Sequence, residues 1–239
     1  MSADGQGHVR MRTVFNRRSV HGGLLAAAVA GSLLLGAVGC SGDEDKDGLP
    51  KDYKVVAGTQ LCGGHAMSDD AAKALKVITG SSRFEASEEK YTVAQAAADL
   101  ATESSGSPVN SGDACRIFTP IGTPSFQLRI RWALEDAAPT GASAPKFTVL
   151  KMGERAVAAA DKAIVFFKCR SDKLTGSSGE AHVVIEVEHW AMPREAEDNV
   201  KALKNAYATV AHSFSLAMAK ELRCDKNGGL PPKPVLVPA

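Results

Sequence analysis

Histidine and carboxylate side chains share one face of a segment in the last third of the chain. His182, Glu186 and Glu188 alternate with aliphatic residues over positions 181–188. An imidazole and two carboxylates are ligands that divalent metal ions accept. A strand with one face in water carries the same residue types, so we interpret these side chains as a solvent-facing strand surface and predict no metal site.

Serine and lysine pairs offer a second chemistry, nucleophilic catalysis. The pattern Ser-x-x-Lys occurs twice, at Ser87–Lys90 and at Ser143–Lys146. In penicillin-recognising enzymes a helix brings such a pair together, and further motifs complete the site. Here Ser171-Asp172-Lys173 only half resembles the second motif, and neither Gly-x-Ser-x-Gly nor a phosphate-binding glycine loop is present. We predict no catalytic residues and no cofactor.

Three aspartates near the N-terminus resemble the first half of a calcium-binding loop. Asp43, Asp45 and Asp47 are followed by a glycine, which is the spacing that calcium loops use. The twelfth position is Lys54 rather than a bidentate glutamate, and Pro50 interrupts the second half. We interpret this segment as a solvated acidic spacer.

Cysteines provide the clearest covalent chemistry. Four of the five are widely separated and include no Cys-x-x-Cys pair: Cys62, Cys115, Cys169 and Cys224. An even number in an exported chain predicts two disulfides, whereas a zinc site would need closely spaced ligands. Four cysteines allow three pairings. We favour Cys115–Cys169, joining two strands, with Cys62–Cys224, joining the start of the domain to its last helix.

The fifth cysteine, Cys40, closes an apolar segment. Residues 22–39 carry no charge, and four arginines precede them against one acid. This layout is typical of a signal peptide, with a transmembrane anchor and ordinary secretion as alternatives. The paired Arg17 and Arg18 leave twin-arginine export open.

The residues Ala37-Val38-Gly39-Cys40 resemble the lipobox of bacterial lipoprotein precursors. The resemblance implies that Cys40 receives a diacylglyceryl group, that cleavage falls before it, and that fatty acyl chains such as palmitate hold the protein at the extracytoplasmic face of the cell membrane. Ala37 departs from the more usual leucine. We therefore expect a signal peptide at 1–39, with the membrane as a partner through Cys40.

Charge argues against nucleic acid as a partner. The chain carries 28 basic and 27 acidic residues, a formal charge of +1. Removing residues 1–39, with their four arginines and one aspartate, would leave 200 residues at a charge of −2. No basic excess then remains to neutralise phosphates.

The order of periodic segments predicts an α+β fold. Ser68 and Gly80 would cap one helix, a second would run from Thr92 to about Thr102, and a long one from Glu195 to about Leu222. Strands with period-two alternation lie between them. We expect an antiparallel sheet packed against the long C-terminal helix and the two N-terminal helices.

The predicted segments are an acidic tether at 40–56, a single domain at 57–226 and a Pro-rich disordered tail at 227–239. The alanine-rich composition, the Leu61–Gly64 segment and the ending AKELRC resemble small uncharacterised exported lipoproteins of actinomycetes. That resemblance implies location and fold and transfers no site residues.

We therefore predict a lipid-anchored envelope protein with a non-catalytic binding or accessory role toward an unknown envelope protein or ligand. Its candidate binding surfaces are the solvent-facing side of the sheet, with Arg129, Arg131, Glu186 and Glu188, and the Pro-rich tail. There are two alternatives. One is a small-molecule carrier or sensor with a pocket between the long helix and the sheet, and the other is an envelope hydrolase with dispersed residues.

Overall fold

The computed structural model describes residues 53–103, 110–174, 180–190 and 199–239. In chain order the strands are β1 (Val55–Ala57), β2 (Arg83–Glu85), β3 (Ser111–Phe118), β4 (Gln127–Glu135), β5 (Thr148–Leu150), β6 (Arg155–Ala158), β7 (Lys162–Arg170) and β8 (Glu180–His189). The helices are α1 (Asp69–Thr79), α2 (Val93–Glu103) and α3 (Val200–Glu221), with 3-10 turns at Gly58–Gly63 and Asp225–Gly229.

Six strands form one antiparallel sheet in the order β3-β4-β8-β7-β6-β5. Successive side chains point to opposite faces, and the buried alternate residues of the sheet join those of the helices in one hydrophobic core. β7 has a continuous apolar run and lies inside the sheet, between β8 and β6. The predicted α+β class with an antiparallel sheet is confirmed.

The N-terminal helices begin and end at residues that satisfy their free backbone groups. The Ser68 hydroxyl accepts a hydrogen bond from the Ala71 N–H at 3.2 Å, and Gly80 ends α1 with a φ of 75°. A positive φ is the conformation that glycine adopts without strain. At α2 the Thr92 hydroxyl accepts from the Gln95 N–H at 3.1 Å, so both predicted helices form close to the predicted bounds.

The long helix α3 is buried around most of its circumference. Its predicted apolar stripe supplies Tyr207, Val210 and Phe214 to the core, while Val200 at its start is 38% exposed. His212, which falls mostly off that stripe, is only 2% exposed. The stripe lies in the core as predicted, and further elements cover the helix on its other sides.

The two disulfides join Cys62 to Cys115 and Cys169 to Cys224, so the predicted pairing is wrong. Cys115 lies in β3 and Cys169 in β7, and two strands separate these two in the sheet. At about 4.8 Å between neighbouring strands, the two backbones are roughly 14 Å apart. A disulfide spans less than about 7 Å between Cα atoms, and the strand order therefore excludes Cys115–Cys169.

The Pro-rich segment 227–239, predicted to be disordered, follows a defined path over the domain. Leu230 is 6% exposed, the Pro231 carbonyl lies 2.8 Å from His212 Nε2, and Pro238 pairs antiparallel with Leu150 of β5. Proline lacks an N–H donor but keeps its carbonyl acceptor and apolar ring. These groups hold the segment, which we call the tail, and they correct the prediction.

The folded domain also begins earlier than the predicted boundary at residue 57. β1 pairs antiparallel with β2 and sets Val56 opposite the fully buried Phe84. The Tyr53 hydroxyl accepts a hydrogen bond from the Ile121 N–H at 2.8 Å. The last residues of the predicted tether therefore belong to the domain, whereas residues 1–52, including Cys40, lie outside the described residues.

Candidate functional site

In the part of the chain that the structure describes, no helix covers one face of the six-stranded sheet, and we call this face the open face. The four residues predicted for it all lie there as two facing pairs, because β4 and β8 set Arg129 opposite Glu188 and Arg131 opposite Glu186. The open face also includes Asp113 and Arg116 of β3, which lie opposite Arg131 and Arg129, and Lys162 of β7, which lies opposite Glu188. The sequence patterns did not single out these three residues.

Asp113 is the centre of an ionic cluster at the β3 end of the open face. Its Oδ2 accepts hydrogen bonds from Arg116 Nε at 3.0 Å and Nη2 at 2.6 Å, and its Oδ1 accepts one from Arg129 Nε at 2.6 Å. Burial would raise the pKa of Asp113, but the bonds from Arg129 and Arg116 outweigh it and hold that pKa below its usual value. Asp113 therefore stays ionised and holds two like charges side by side.

Two aromatic rings cover these arginines. The Arg116 guanidinium lies 5.0 Å from the Tyr91 ring centroid and 5.6 Å from that of Trp190, and the Arg129 guanidinium lies 5.6 Å from Trp190. Distances below about 6 Å allow cation–π attraction. We call Asp113, Arg116, Arg129, Tyr91 and Trp190 the arginine cluster. Trp190 is 42% exposed, so solvent reaches the cluster on that side.

Among the described residues, the arginine cluster has hydrogen-bond donors without an acceptor. Arg129 donates to Asp113 through Nε, and its two terminal nitrogens make no hydrogen bond to the described residues. A guanidinium has five N–H donors and binds carboxylates in a fixed fork geometry. The cluster can therefore accept a carboxylate beside an exposed indole ring.

Lys162 balances the two glutamates in the middle of the open face. Its Nζ lies 2.8 Å from Glu186 Oε1 and 3.2 Å from Glu188 Oε2. Burial would lower the pKa of Lys162, but hydrogen bonds and charge attraction from both glutamates raise it overall. The two predicted carboxylates are therefore occupied in an ion pair.

An apolar strip continues from these charges toward β6. Val157, Phe166 and Val184 are 6–8% exposed, yet they lie outside the core shared with the helices. Phe166 and Val184 line a cavity of about 280 Å³ together with Arg131, Ser111 and Glu186. The open face thus combines apolar side chains with neighbouring charged side chains, which is a typical composition for a binding surface.

The residues considered for metal binding do not converge. His182 Nδ1 lies 2.6 Å from Glu154 Oε2, while Glu186 and Glu188 contact Lys162. Across 53–103, 110–174, 180–190 and 199–239, no group of three or more histidine, cysteine, aspartate or glutamate side chains is arranged to hold a metal ion.

The serine and lysine pairs are held apart by other partners. Lys90 pairs with Glu88 at 2.9 Å and Lys146 with Asp161 at 2.9 Å. The Ser143 hydroxyl accepts from Arg155 Nη2 at 2.7 Å. Neither pair forms the contact between serine and lysine that the catalytic arrangement needs.

A cleft lies between the start of α3, the strands β5 and β6, and the tail, and we call it the tail cleft. Its volume is about 390 Å³, and its lining combines Leu150, Ala158 and Leu236 with Lys201 and Lys204. The Ala239 N–H donates to the Val149 carbonyl at 3.0 Å and fixes the tail at its edge. The carrier hypothesis predicts a pocket between the long helix and the sheet, and the tail cleft is a candidate for that pocket.

Comparisons with protein-family models, with curated proteins and with solved structures return no match for this chain. Within the part of the chain that the structure describes, no helix is long and apolar enough to cross a membrane. We therefore infer the function from the open face, the tail cleft and the N-terminal sequence.

Proposed function

We propose that the chain is a lipid-anchored protein of the extracytoplasmic face of the cell membrane whose domain binds a partner protein through the open face. The arginine cluster carries this proposal. Tryptophan, tyrosine and arginine are the residues enriched at the energetic centres of protein interfaces. Here all three lie together, and Asp113 holds the two arginines in place before any partner arrives.

The chemistry of the cluster indicates the partner's contact. Arg129 offers its terminal nitrogens to a carboxylate, and the exposed Trp190 offers apolar area beside it. The partner surface would present an acidic side chain next to an apolar one. Side chains that are already ordered lose less entropy on binding, so the contacts within the cluster favour association.

Site-specific photo-crosslinking in intact cells tests the binding function. A photoreactive residue at Gln127, in the row beside Trp190 on the open face, should crosslink to one partner protein, and Trp190→Ala with Arg129→Gln should abolish the product. The same probe at Lys76, exposed on α1, is the matched control. Equal crosslinking from both positions, or a product that persists in the double variant, would contradict the proposal.

The lipid anchor is supported by the charged start, the apolar segment and the lipobox-like residues before Cys40. We expect labelled palmitate to enter the protein, and globomycin to cause accumulation of a larger precursor. Cys40→Ala should abolish labelling and membrane retention. Unchanged membrane retention and precursor size in both experiments would show that the lipoprotein assignment is wrong.

A small-molecule carrier is the second candidate function, and the tail cleft favours it. The cleft volume of about 390 Å³ falls in the range of ligand pockets in proteins. Native mass spectrometry of protein extracted gently from membranes should then show a retained small molecule. A hydrolase has weaker support, because His182 bonds to Glu154 and His212 to the Pro231 carbonyl, and neither contacts a serine hydroxyl among the described residues.

A further inference from the structure

Among the residues that the structure describes, the lysines of the tail cleft have no acidic partner, which distinguishes this cleft from a second large cavity. A cavity of about 400 Å³ beside the turn Asp225–Gly229 contains Glu154, Lys168, Arg170 and Glu180, which already form ion pairs with one another. The tail cleft contains Lys201 and Lys204 and no acidic residue in its described lining. Neither lysine forms an ion pair with any of the described residues.

Lys204 is held at the edge of the cleft by a neutral group. Its Nζ donates to the Thr148 hydroxyl at 3.2 Å, which takes one of the three donors of an ammonium group. The bond fixes the position of the charge without neutralising it. Lys201 lies in the first turn of α3 and is exposed.

Apart from Thr148 and Asn205, the remaining lining of the cleft is apolar. Leu150 and Ala158 come from the sheet, Val200 from α3, and Leu236 and Pro238 from the tail. At about 30 Å³ for each water-sized group, a cleft of about 390 Å³ holds roughly thirteen non-hydrogen atoms. A ten-carbon carboxylate has about that size.

We propose, building on the carrier function above, that the tail cleft binds a medium-length acyl chain with a single anionic head group. The acyl chain lies against Leu150, Ala158 and Leu236. The head group accepts hydrogen bonds from Lys204 and Lys201 at the end of the cleft nearest α3. Apolar walls with a few placed polar groups are the usual composition of a small-molecule site.

Photoaffinity labelling of the full chain in nanodiscs tests this site. The probe is decanoate with a diazirine near its ω end, and labelled peptides are mapped by mass spectrometry. We expect labelling of the peptides that contain Leu150 and Leu236. Unlabelled decanoate and decyl phosphate should both compete, and their relative potency shows whether the site prefers a carboxylate or a phosphate head group. Decan-1-ol should compete at least tenfold less well.

Three variants complete the experiment. Lys204→Met keeps the aliphatic stem but removes the charge and should weaken labelling at least tenfold, since a hydrogen bond to a charged group is lost and about 1.4 kcal/mol corresponds to tenfold. Ala158→Phe should fill the cleft and abolish labelling, with a thermal melt to confirm folding. Lys76→Met, at an exposed lysine of α1, should change nothing.

Labelling that is unaffected by Lys204→Met, equal competition by decan-1-ol, or labelling confined to other peptides would each overturn the proposal. Native mass spectrometry separates its failure from that of the carrier function. A retained ligand of another class would overturn the acyl-anion assignment and leave the carrier function standing. Absence of both a retained ligand and decanoate labelling would contradict the two together.

Discussion

Replacing Asp113 by asparagine tests whether one carboxylate holds the arginine cluster together. The side chain of Asp113 is 13% exposed, and those of Arg116 and Arg129 are 30% and 26% exposed. Exposed ion pairs contribute about 0–1 kcal/mol, whereas removing one partner from a buried pair costs about 3–5 kcal/mol. Because this cluster is between these limits, we expect Asp113→Asn to lower the free energy of unfolding by about 2–3 kcal/mol.

Urea denaturation at pH 7 without reductant measures this change, followed by tryptophan fluorescence. A loss of that size corresponds to about 5–10 °C in Tm for a domain of this length. Glu88→Gln is the matched control, because the pair of Glu88 with Lys90 is more than 60% exposed on both sides. Its effect should stay below about 0.5 kcal/mol.

The difference in unfolding free energy between the unsubstituted protein and Asp113→Asn should depend on pH. The pKa of Asp113 is held below its usual value, so its contribution is present above the unfolded-state pKa and is lost as the pH falls through the folded-state pKa. The stability difference should be constant above about pH 5 and shrink below about pH 4. Equal stabilities of Asp113→Asn and Glu88→Gln at pH 7 would refute the role given to Asp113.

Three further predictions concern the rest of the domain. Burial lowers the pKa of His212, so the unfolded chain binds more protons than the folded one, and the free energy of unfolding should fall as the pH drops below about 6.5. His212→Gln should reduce this pH dependence, measured by urea denaturation at pH 5–8. Leu230→Ala should cost about 2–3 kcal/mol, whereas Val237→Ala, at a residue 70% exposed, should cost under about 0.5 kcal/mol; equal costs would show that the tail is not packed. Non-reducing peptide maps should contain Cys62–Cys115 and Cys169–Cys224, and removing either pair should cost about 4 kcal/mol in the loop-closure model.

The sequence predicted the elements well because local signals determine them. Ser68 and Gly80 mark the ends of α1, and alternation in β4 and β8 correctly placed Arg129, Arg131, Glu186 and Glu188 on one face. Period-two alternation requires no knowledge of neighbouring strands. It assigns faces reliably and leaves strand order open.

The features that the sequence did not predict all depend on which strands and segments lie next to one another in space. The irregularity between Asp113 and Cys115 breaks the alternation of β3, so Asp113 could not be assigned to the same face as Arg116 from the pattern. The Cys115–Cys169 prediction failed because two strands lie between β3 and β7. The tail was judged by its prolines, although Leu230 and Pro231 contact the domain.

The order of the cysteine pairs has a consequence for how the chain is oxidised. The bonds Cys62–Cys115 and Cys169–Cys224 close separate loops with sequence separations of 53 and 55 residues. Neither loop encloses the other. A polypeptide that emerges N-terminus first can therefore close its first loop before Cys169 appears, and Cys115 and Cys224, as each emerges, find their correct partners already exposed. If Cys40 is acylated as proposed, pairing of the other four thiols in their order of appearance yields the native bonds, and this connectivity makes little demand on a disulfide isomerase.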